Sequence, residues 1–388
     1  MKKLLSNYLT LCLLVVGLLI SSCSDESQGI RTNSNLKKSE NFISLTQAKE
    51  IALNLRFSKG NSKLIGSIKP LKDHKGQSVF YVVNYKGEGF VLIAADNRSE
   101  PILGYSESNN FKMEDLTSMY PEGLQFWIQK TKADIQELRM SSDKQTTEVK
   151  NLWKKENLYN EIFNNQVLRD TRKKGRIDFI GPLTTTRWRQ TGGFNALLPT
   201  IKCNDRNKRV YSGCLPIAVA QFMKYYKKPS TYAWSKMPNN TPSVETKQLI
   251  KDIHDRMNQL NPYTIKYKCN VTTMGYYPMA NLLKQRFSYR NLYQGAYDEY
   301  TLVNKLKEKQ IVLLSGNDPN RNYAGHMWIC DGFKTKFKIR SDGRKVVDHY
   351  EFHMNWGWGG YSNGWFSSKT LGKVGGYNFN HRMLMTMK

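Results

Sequence analysis

"SGCLPIAVAQFMKYY", residues 212–226, sets Cys214 two positions before Pro216 and follows it with apolar residues at Ile217, Ala220, Phe222, Met223 and Tyr226. A proline in the first turn of a helix loses nothing by lacking an N–H, so the stretch predicts a helix that begins at Cys214 and buries an apolar face. A thiol at that end of a helix faces the positive pole of the dipole, which lowers its pKa and favours the thiolate that attacks carbonyls. The same position also suits a small, inert core cysteine. The stretch by itself leaves both readings open.

A cysteine nucleophile needs a base within hydrogen-bond reach, which turns attention to the six histidines. His74 falls in the N-terminal part, His254 on a charged helix face, His349 and His353 in a strand region, and His381 near the C-terminus. His326, in "NYAGHMWICDGF", follows Gly325 at the mouth of an apolar strand. That position is rigid, and the glycine lets a substrate backbone approach closely. "HMNWGWGGYSNGWF" offers Asn355 at a strand end, whose amide oxygen can accept an imidazole N–H under the cover of Trp356. The competing reading of that stretch is an aromatic core hairpin. "RWRQTGGFN" supplies Gln190, a side-chain amide suited, with the Cys214 N–H, to an oxyanion.

At 388 residues the chain has room for two domains. It opens on "MKKLLSNYLTLCLLVVGLLISSC", a basic start, a short apolar run and small residues before Cys23. The order is that of an export signal, and the run is short of the ~20 residues of a membrane span. "LISSC" resembles the lipobox of bacterial lipoproteins, which makes Cys23 the acylated N-terminus of the mature chain and its anchor to a membrane. Residues 1–22 are therefore read as a lipoprotein signal peptide and 23–43 as a tether. The destination expected is the outer membrane or cell surface, with release after maturation as an option.

The remaining cysteines, Cys203, Cys214, Cys269 and Cys330, form no Cys-x-x-Cys pair and fit no zinc pattern. With Cys214 kept as a thiol, at most one disulfide is possible, and none is expected. The formal charge is +27, and from Gly175 onward 33 Lys and Arg face 13 Asp and Glu. No zinc finger, RNA-recognition signature or phosphate loop accompanies this excess, so specific nucleic-acid binding is not expected; the charge reads as an adhesive basic surface.

Between Ser44 and about Glu137 the pattern is a small α+β unit. "SLTQAKEIALNLRF" carries a helical stripe behind a capping serine, two β-rich runs flank Lys86-Gly87-Glu88-Gly89, and "PEGLQFWIQKTKADIQELRM" predicts a second helix. A polar spacer over Ser141–Asn165 leads to "LRDTRKKGRIDFIGPL", whose basic run around Gly175 is what a protease cuts most easily. Helices then come first, after Cys214, over Thr246–Gln259 and Met279–Phe287. Strands come later, at "QIVLLSG", "HMWICDGF" and "VVDHYEFHMNW". The fold class is α+β.

"GCLPIAVAQFMKYY", "GHMWICDGF" and "NWGWGG", in this order, resemble the streptopain-like family of bacterial cysteine proteases, of the papain-like clan. "GEGFVLIAADNRSEPILGYS" is similar to the family's inhibitory prodomain, and "KVGGYNFNH" to its glycine-rich active-site loop. The resemblance implies a papain-like fold, with a helical part carrying the cysteine and an antiparallel sheet carrying the histidine and asparagine. It divides the chain into an inhibitory prodomain with cleavable linker (44–172) and a catalytic domain (173–388). Cys214 becomes the nucleophile, His326 the general base and acid, Asn355 the orienting residue, Gln190 an oxyanion donor and Trp356 a shield. Gly325, Met274, Gly275 and Tyr276 become substrate-contacting residues. The substrates implied are proteins and peptides, the chain's own prodomain is its inhibitor, and no metal or cofactor is called for. The loop "CNVTTMGYYPM" departs from the family in its bulk, and Cys203 and Cys330 are extra thiols. Two other readings share these residues: a Cys-His amidase acting on cell-wall peptides, and a non-catalytic, adhesion or inhibitor-like copy of the fold.

Overall fold

The Ser44 hydroxyl accepts the Gln47 N–H at 3.2 Å while the Gln47 side chain accepts the Ser44 N–H at 2.8 Å. This reciprocal cap starts the first helix where the sequence predicts it. The structure, a computed structural model, describes residues 40–57, 61–113, 122–162, 178–260, 265–274, 279–317, 325–369 and 382–386. The expected signal with Cys23, nearly all of the expected tether, the basic run at 163–177 and the glycine-rich stretch 373–381 lie outside them.

Helix α1 (Leu45–Asn54) packs on a four-stranded antiparallel meander of β1 (Ile65–Lys72), β2 (Ser78–Tyr85), β3 (Phe90–Ala94) and β4 (Ile102–Ser106). Alternation sorts the strands' side chains between two cores. Tyr81, Val83, Val91 and Ile93 join Ala48, Ile51 and Ala52 of α1, whereas Phe80, Val82 and Leu92 join Leu124, Trp127 and Ile128 of α2 (Glu122–Met140). Being covered on both sides, these strands read as unbroken apolar runs. The spacer holds two short helices, α3 (Thr147–Leu152) and α4 (Lys155–Leu158), tied back by the Trp153 indole N–H donating to the Ser99 carbonyl at 2.9 Å.

The C-terminal part runs through β5 (Phe179–Ile180), the hairpin β6 (Thr200–Cys203) and β7 (Arg206–Arg209), α5 (Cys214–Tyr226) and α6 (Val244–Leu260). A second hairpin, β8 (Ile265–Lys268) and β9 (Val271–Met274), precedes α7 (Met279–Phe287), β10 (Leu292–Ala296) and α8 (Glu299–Lys307). The chain then runs through β11 (Val312–Asn317), β12 (Gly325–Ile339), β13 (Lys345–Asn355), β14 (Gly364–Ser367) and β15 (Arg382–Thr386). Helix α5 is buried without a break from Leu215 to Met223 and packs against β12 and β11. It is the centre of a core shared with Leu249, Ile250 and Ile253 of α6 and Leu282 and Leu283 of α7.

The main sheet is ordered β1-β2-β3-β4-β14-β13-β12-β11-β15-β10, with β5 paired to β12. The strands β4 and β14 join the meander to the rest, Tyr105 opposite Trp365 and Gly104 opposite Phe366. Residues 41–388 accordingly form one compact unit. Among the described residues no helix is long and apolar enough to cross a membrane.

The structure corrects the cysteine expectation. Cys203 and Cys269 are bridged, with Cα atoms 5.8 Å apart, linking the end of β6 to the turn after β8. The two lie 66 residues apart in the chain, and only the docking of both hairpins beside α5 brings them together. His254 is likewise buried rather than on a charged face, because the apolar face of α6 at Leu249, Ile250, Ile253 and Met257 includes it.

Candidate active site

Cys214 opens α5 and lies outside any disulfide, partly buried. The residue before it, Gly213, has φ +82°, and a Cβ there would meet Met274 Cε at 2.8 Å. Glycine is needed at this turn on both counts, and Met274 stands over the entrance to the cysteine helix, where the sequence placed a substrate contact. The segment leading in is fixed at Ser212. Its N–H donates to the Gln190 carbonyl at 3.0 Å, and its own carbonyl accepts from His254 Nε2 at 2.7 Å. Gln190 is held from the other side too, since Arg189 bridges to Trp358 and the Trp188 carbonyl accepts the Gly359 N–H at 3.0 Å. Residues from three distant stretches, Gln190, Cys214 and the Trp358 loop, are thus pinned to one another.

Asn355 ends β13 and is buried. Its amide donates to the Thr186 carbonyl at 2.9 Å and to Gln221 Oε1 at 3.3 Å, and its oxygen accepts the Gly357 N–H at 3.1 Å. Gln221 lies seven residues after Cys214, on the same face of α5, so Asn355 is tied directly to the cysteine helix. The chain of contacts continues to Thr184, whose N–H and hydroxyl donate to Asp331 Oδ2 at 2.8 and 2.6 Å, and from Asp331 Oδ1 to His353 Nδ1 at 2.5 Å. Asp331 is fully buried, and this pairing satisfies a charge that burial would otherwise penalise.

His326 stands near the start of β12, opposite Gly316, one residue after Gly325, which faces Asn317. It is 3% exposed and its ring stacks on Trp328 at 5.9 Å between centroids. Burial pushes its pKa down to about 3, against a backbone hydrogen bond to Trp356 that acts the other way. Among the described residues its Nε2 has no hydrogen-bond partner. No hydrogen bond joins the Asn355 amide to the His326 ring. The groups against the imidazole are the Trp356 backbone and the Trp328 indole, and Trp356 itself is fixed by its indole N–H donating to the Ser362 carbonyl at 3.0 Å. Gly275 and Tyr276 lie outside the described residues.

The prodomain-like part reaches this centre through the start of α2. A Cβ at Gly123 would stand 2.7 and 2.8 Å from Trp328 ring carbons and 2.9 Å from Trp356. The helix is seated on the Trp328 indole, which stacks on His326, and on the neighbouring Trp356 indole, and only glycine permits that approach. A second tie lies away from the cysteine. Lys369 Nζ bridges Glu100 and Asp348 at 2.6 Å each, with His349 Nδ1 2.9 Å from Asp348. Burial alone would raise the Glu100 pKa, but His349, Lys369 and Lys336 hold it below the ordinary carboxylate value. Glu100, Asp348 and His349 are the one group among the described residues with three ligand atoms close enough for a metal ion, within 4.8 Å. The Lys369 ammonium already pairs with both carboxylates, so the cluster reads as an ionic clamp between the two parts of the chain.

Two contributors escaped the sequence reading. Gln221 was legible as the lone amide in an apolar helical run, seven residues from Cys214. His254 was legible from the i, i+3, i+4 pattern of its own helix, which places it inside.

Residues 228–366 match the peptidase C10 family, and residues 28–135 match the Spi protease inhibitor family. The fold and these matches are those of a cysteine-type endopeptidase preceded by an inhibitor-like prodomain, and the chain is similar in both parts to streptopain. Streptopain of Streptococcus pyogenes serotype M1 is 24% identical over 361 residues, covering 78% of both proteins. The thiol protease/hemagglutinin PrtT of Porphyromonas gingivalis is also 24% identical, over 75% of this chain, which spans 34% of the length of that relative. A solved fragment of Prevotella intermedia prointerpain A shares the fold, with a TM-score of 0.52 at 19% identity over 82% of this chain and 97% of the fragment.

Proposed function

We infer that the chain is an exported, lipid-anchored zymogen whose Cys214–His326 pair hydrolyses peptide bonds once residues 44–172 have been cut away. The observation that carries this reading is the convergence of three stretches around α5. Gln190 is bonded to Ser212, Asn355 to Gln221 of the same helix, and the Trp356 backbone to His326. In the working enzyme the Cys214 thiolate attacks the scissile carbonyl. The oxyanion is met by the Cys214 N–H at the helix start and the Gln190 side chain. The His326 imidazolium protonates the leaving amine, and the neutral imidazole then takes a proton from the water that hydrolyses the thioester. Asn355 acts by locking α5 to the β13–β14 loop that carries Trp356.

The prodomain keeps this chemistry off by desolvating the base. With α2 seated on Trp328 and Trp356, His326 is buried, and an imidazole with its pKa near 3 is neutral at physiological pH. It cannot form the imidazolium that stabilises a thiolate. Cutting between about Leu168 and Phe179 releases α2 and rehydrates the ring.

An epoxide thiol inhibitor is expected to label the processed protein once, at Cys214, and to abolish cleavage of casein and of small peptide amides. Cys214→Ala is expected to cleave neither. Labelling only at Cys330, or casein cleavage by Cys214→Ala, would remove the mechanism. Cys23→Ser is expected to move the protein from the membrane fraction to the medium; equal partitioning of both forms would remove the anchor.

A further inference from the structure

We propose that the two disulfide-linked hairpins β6–β7 and β8–β9 form a basic exosite that captures acidic residues of the polypeptide substrate flanking the scissile bond. This rests on the peptidase reading above and adds a substrate class to it. Lys202, Arg206, Lys208, Arg209, Lys266 and Lys268 are all exposed on these hairpins. The nearby acid, Asp205, is paired with Lys202 at 3.6 Å, while Arg206, Lys208, Lys266 and Lys268 make no ion pair among the described residues. Six cations with so little internal compensation create a positive field that a ligand can use.

The hairpins are attached to the nucleophile's own frame. Strand β9 ends in Met274, which lies over Gly213, and Thr272 Oγ1 donates to the Tyr211 carbonyl at 2.5 Å. Arg209, at the end of β7, is five residues before Cys214, so its Cα stands within about 18 Å of the nucleophile's. The Cys203–Cys269 bridge holds the hairpins together, with Cys269 Sγ 3.9 Å from the Lys202 carbonyl. An extended chain passing Cys214 covers that distance in about six residues. Each hairpin is a sheet of only two strands, so each keeps an outer edge of backbone donors and acceptors. A polypeptide can pair with such an edge, whereas a glycan or nucleic acid uses the charge alone. This favours a protein ligand.

The test uses the full-length Cys214→Ala chain, in which the hairpins are already exposed, and two fluorescent peptides of one sequence carrying either glutamates or glutamines on one flank. By anisotropy at low salt, the Glu peptide is expected to bind about tenfold more tightly than the Gln peptide. That preference is expected to vanish in about 0.5 M salt and in the variant Arg206→Gln, Lys208→Gln, Lys266→Gln, Lys268→Gln. With processed enzyme, kcat/KM for the Glu peptide is expected to fall about tenfold in the same variant, with the Gln peptide cleaved as before, which also shows that the variant folds. Equal binding of the two peptides, a preference that survives the four substitutions, or binding of a sulfated polysaccharide in place of the Glu peptide would each overturn the exosite. Failure of wild-type enzyme to cleave either peptide would overturn the peptidase reading instead, and the binding arm would still decide the surface.

Discussion

His254 shows how a residue outside the nucleophile's own stretch can decide its position. Its Nε2 donates to the Ser212 carbonyl, its Nδ1 lies 3.4 Å from the Tyr267 hydroxyl, and it is 1% exposed. Burial lowers its pKa to about 4. The folded state thus binds this proton less readily than the unfolded chain, whose histidines titrate near 6.5. Its contribution to stability is complete above about pH 6.5 and is lost as the pH falls toward 4, a loss on the order of 2 kcal/mol by pH 5. His254→Gln keeps a donor for Ser212 and removes the titration. Its urea midpoint is expected to shift less than wild type between pH 7.5 and 5, and an identical shift would show that His254 does not carry the effect. The same residue marks a limit of sequence reading. Cys214, His326 and Gln190 stand out as candidates because their chemistry is rare and their neighbours are glycine, proline or tryptophan. His254 and Gln221 act only through where the fold folds them in, and the charged residues around His254 mask the apolar period it belongs to.

At the scale of elements, the decisive contact is a helix start on two indoles. Glycine at position 123 lets α2 approach Trp328 and Trp356 to a distance no side chain tolerates. Gly123→Leu would place a branched chain against both rings and force the helix away, exposing His326. Processing of the full chain is expected to run several-fold faster in this variant, read as loss of the precursor band with time; an unchanged rate would detach α2 from control of the site. Regular elements with one buried face, such as α1, α5 and α6, follow from period and caps in the sequence. The strands β4, β14 and β15 do not, because short segments such as "GWFS" acquire their partners from chain far away. Gly104 opposite Phe366 is a pairing between residues 262 positions apart in the chain. The Cys203–Cys269 bridge escaped for the same reason, since spacing alone cannot place two hairpins side by side.

At the scale of the molecule, prodomain and catalytic part share one sheet through β4 and β14 and a clamp through Glu100, Lys369 and Asp348. A zymogen built this way is a single compact body, and release of the prodomain-like part is expected to uncover the edge of β14 together with the two indoles. The basic hairpins lie outside that contact and stay available before and after. The capped α+β unit and the aromatic, glycine-rich C-terminal part were distinguishable in the sequence, because they differ in composition. The continuity of the sheet was not, for edge pairing leaves no compositional mark. The central proposal, that Cys214 is the peptidase nucleophile and, we further propose, the one that cuts the chain's own linker, is tested most directly by intact-mass measurement of the purified full chain and of Cys214→Ala after incubation under reducing conditions. Wild type is expected to give a catalytic fragment beginning between about Leu168 and Phe179, while Cys214→Ala keeps its full mass. A Cys214→Ala chain that yields the same fragment at the same rate, and cleaves casein, would contradict it.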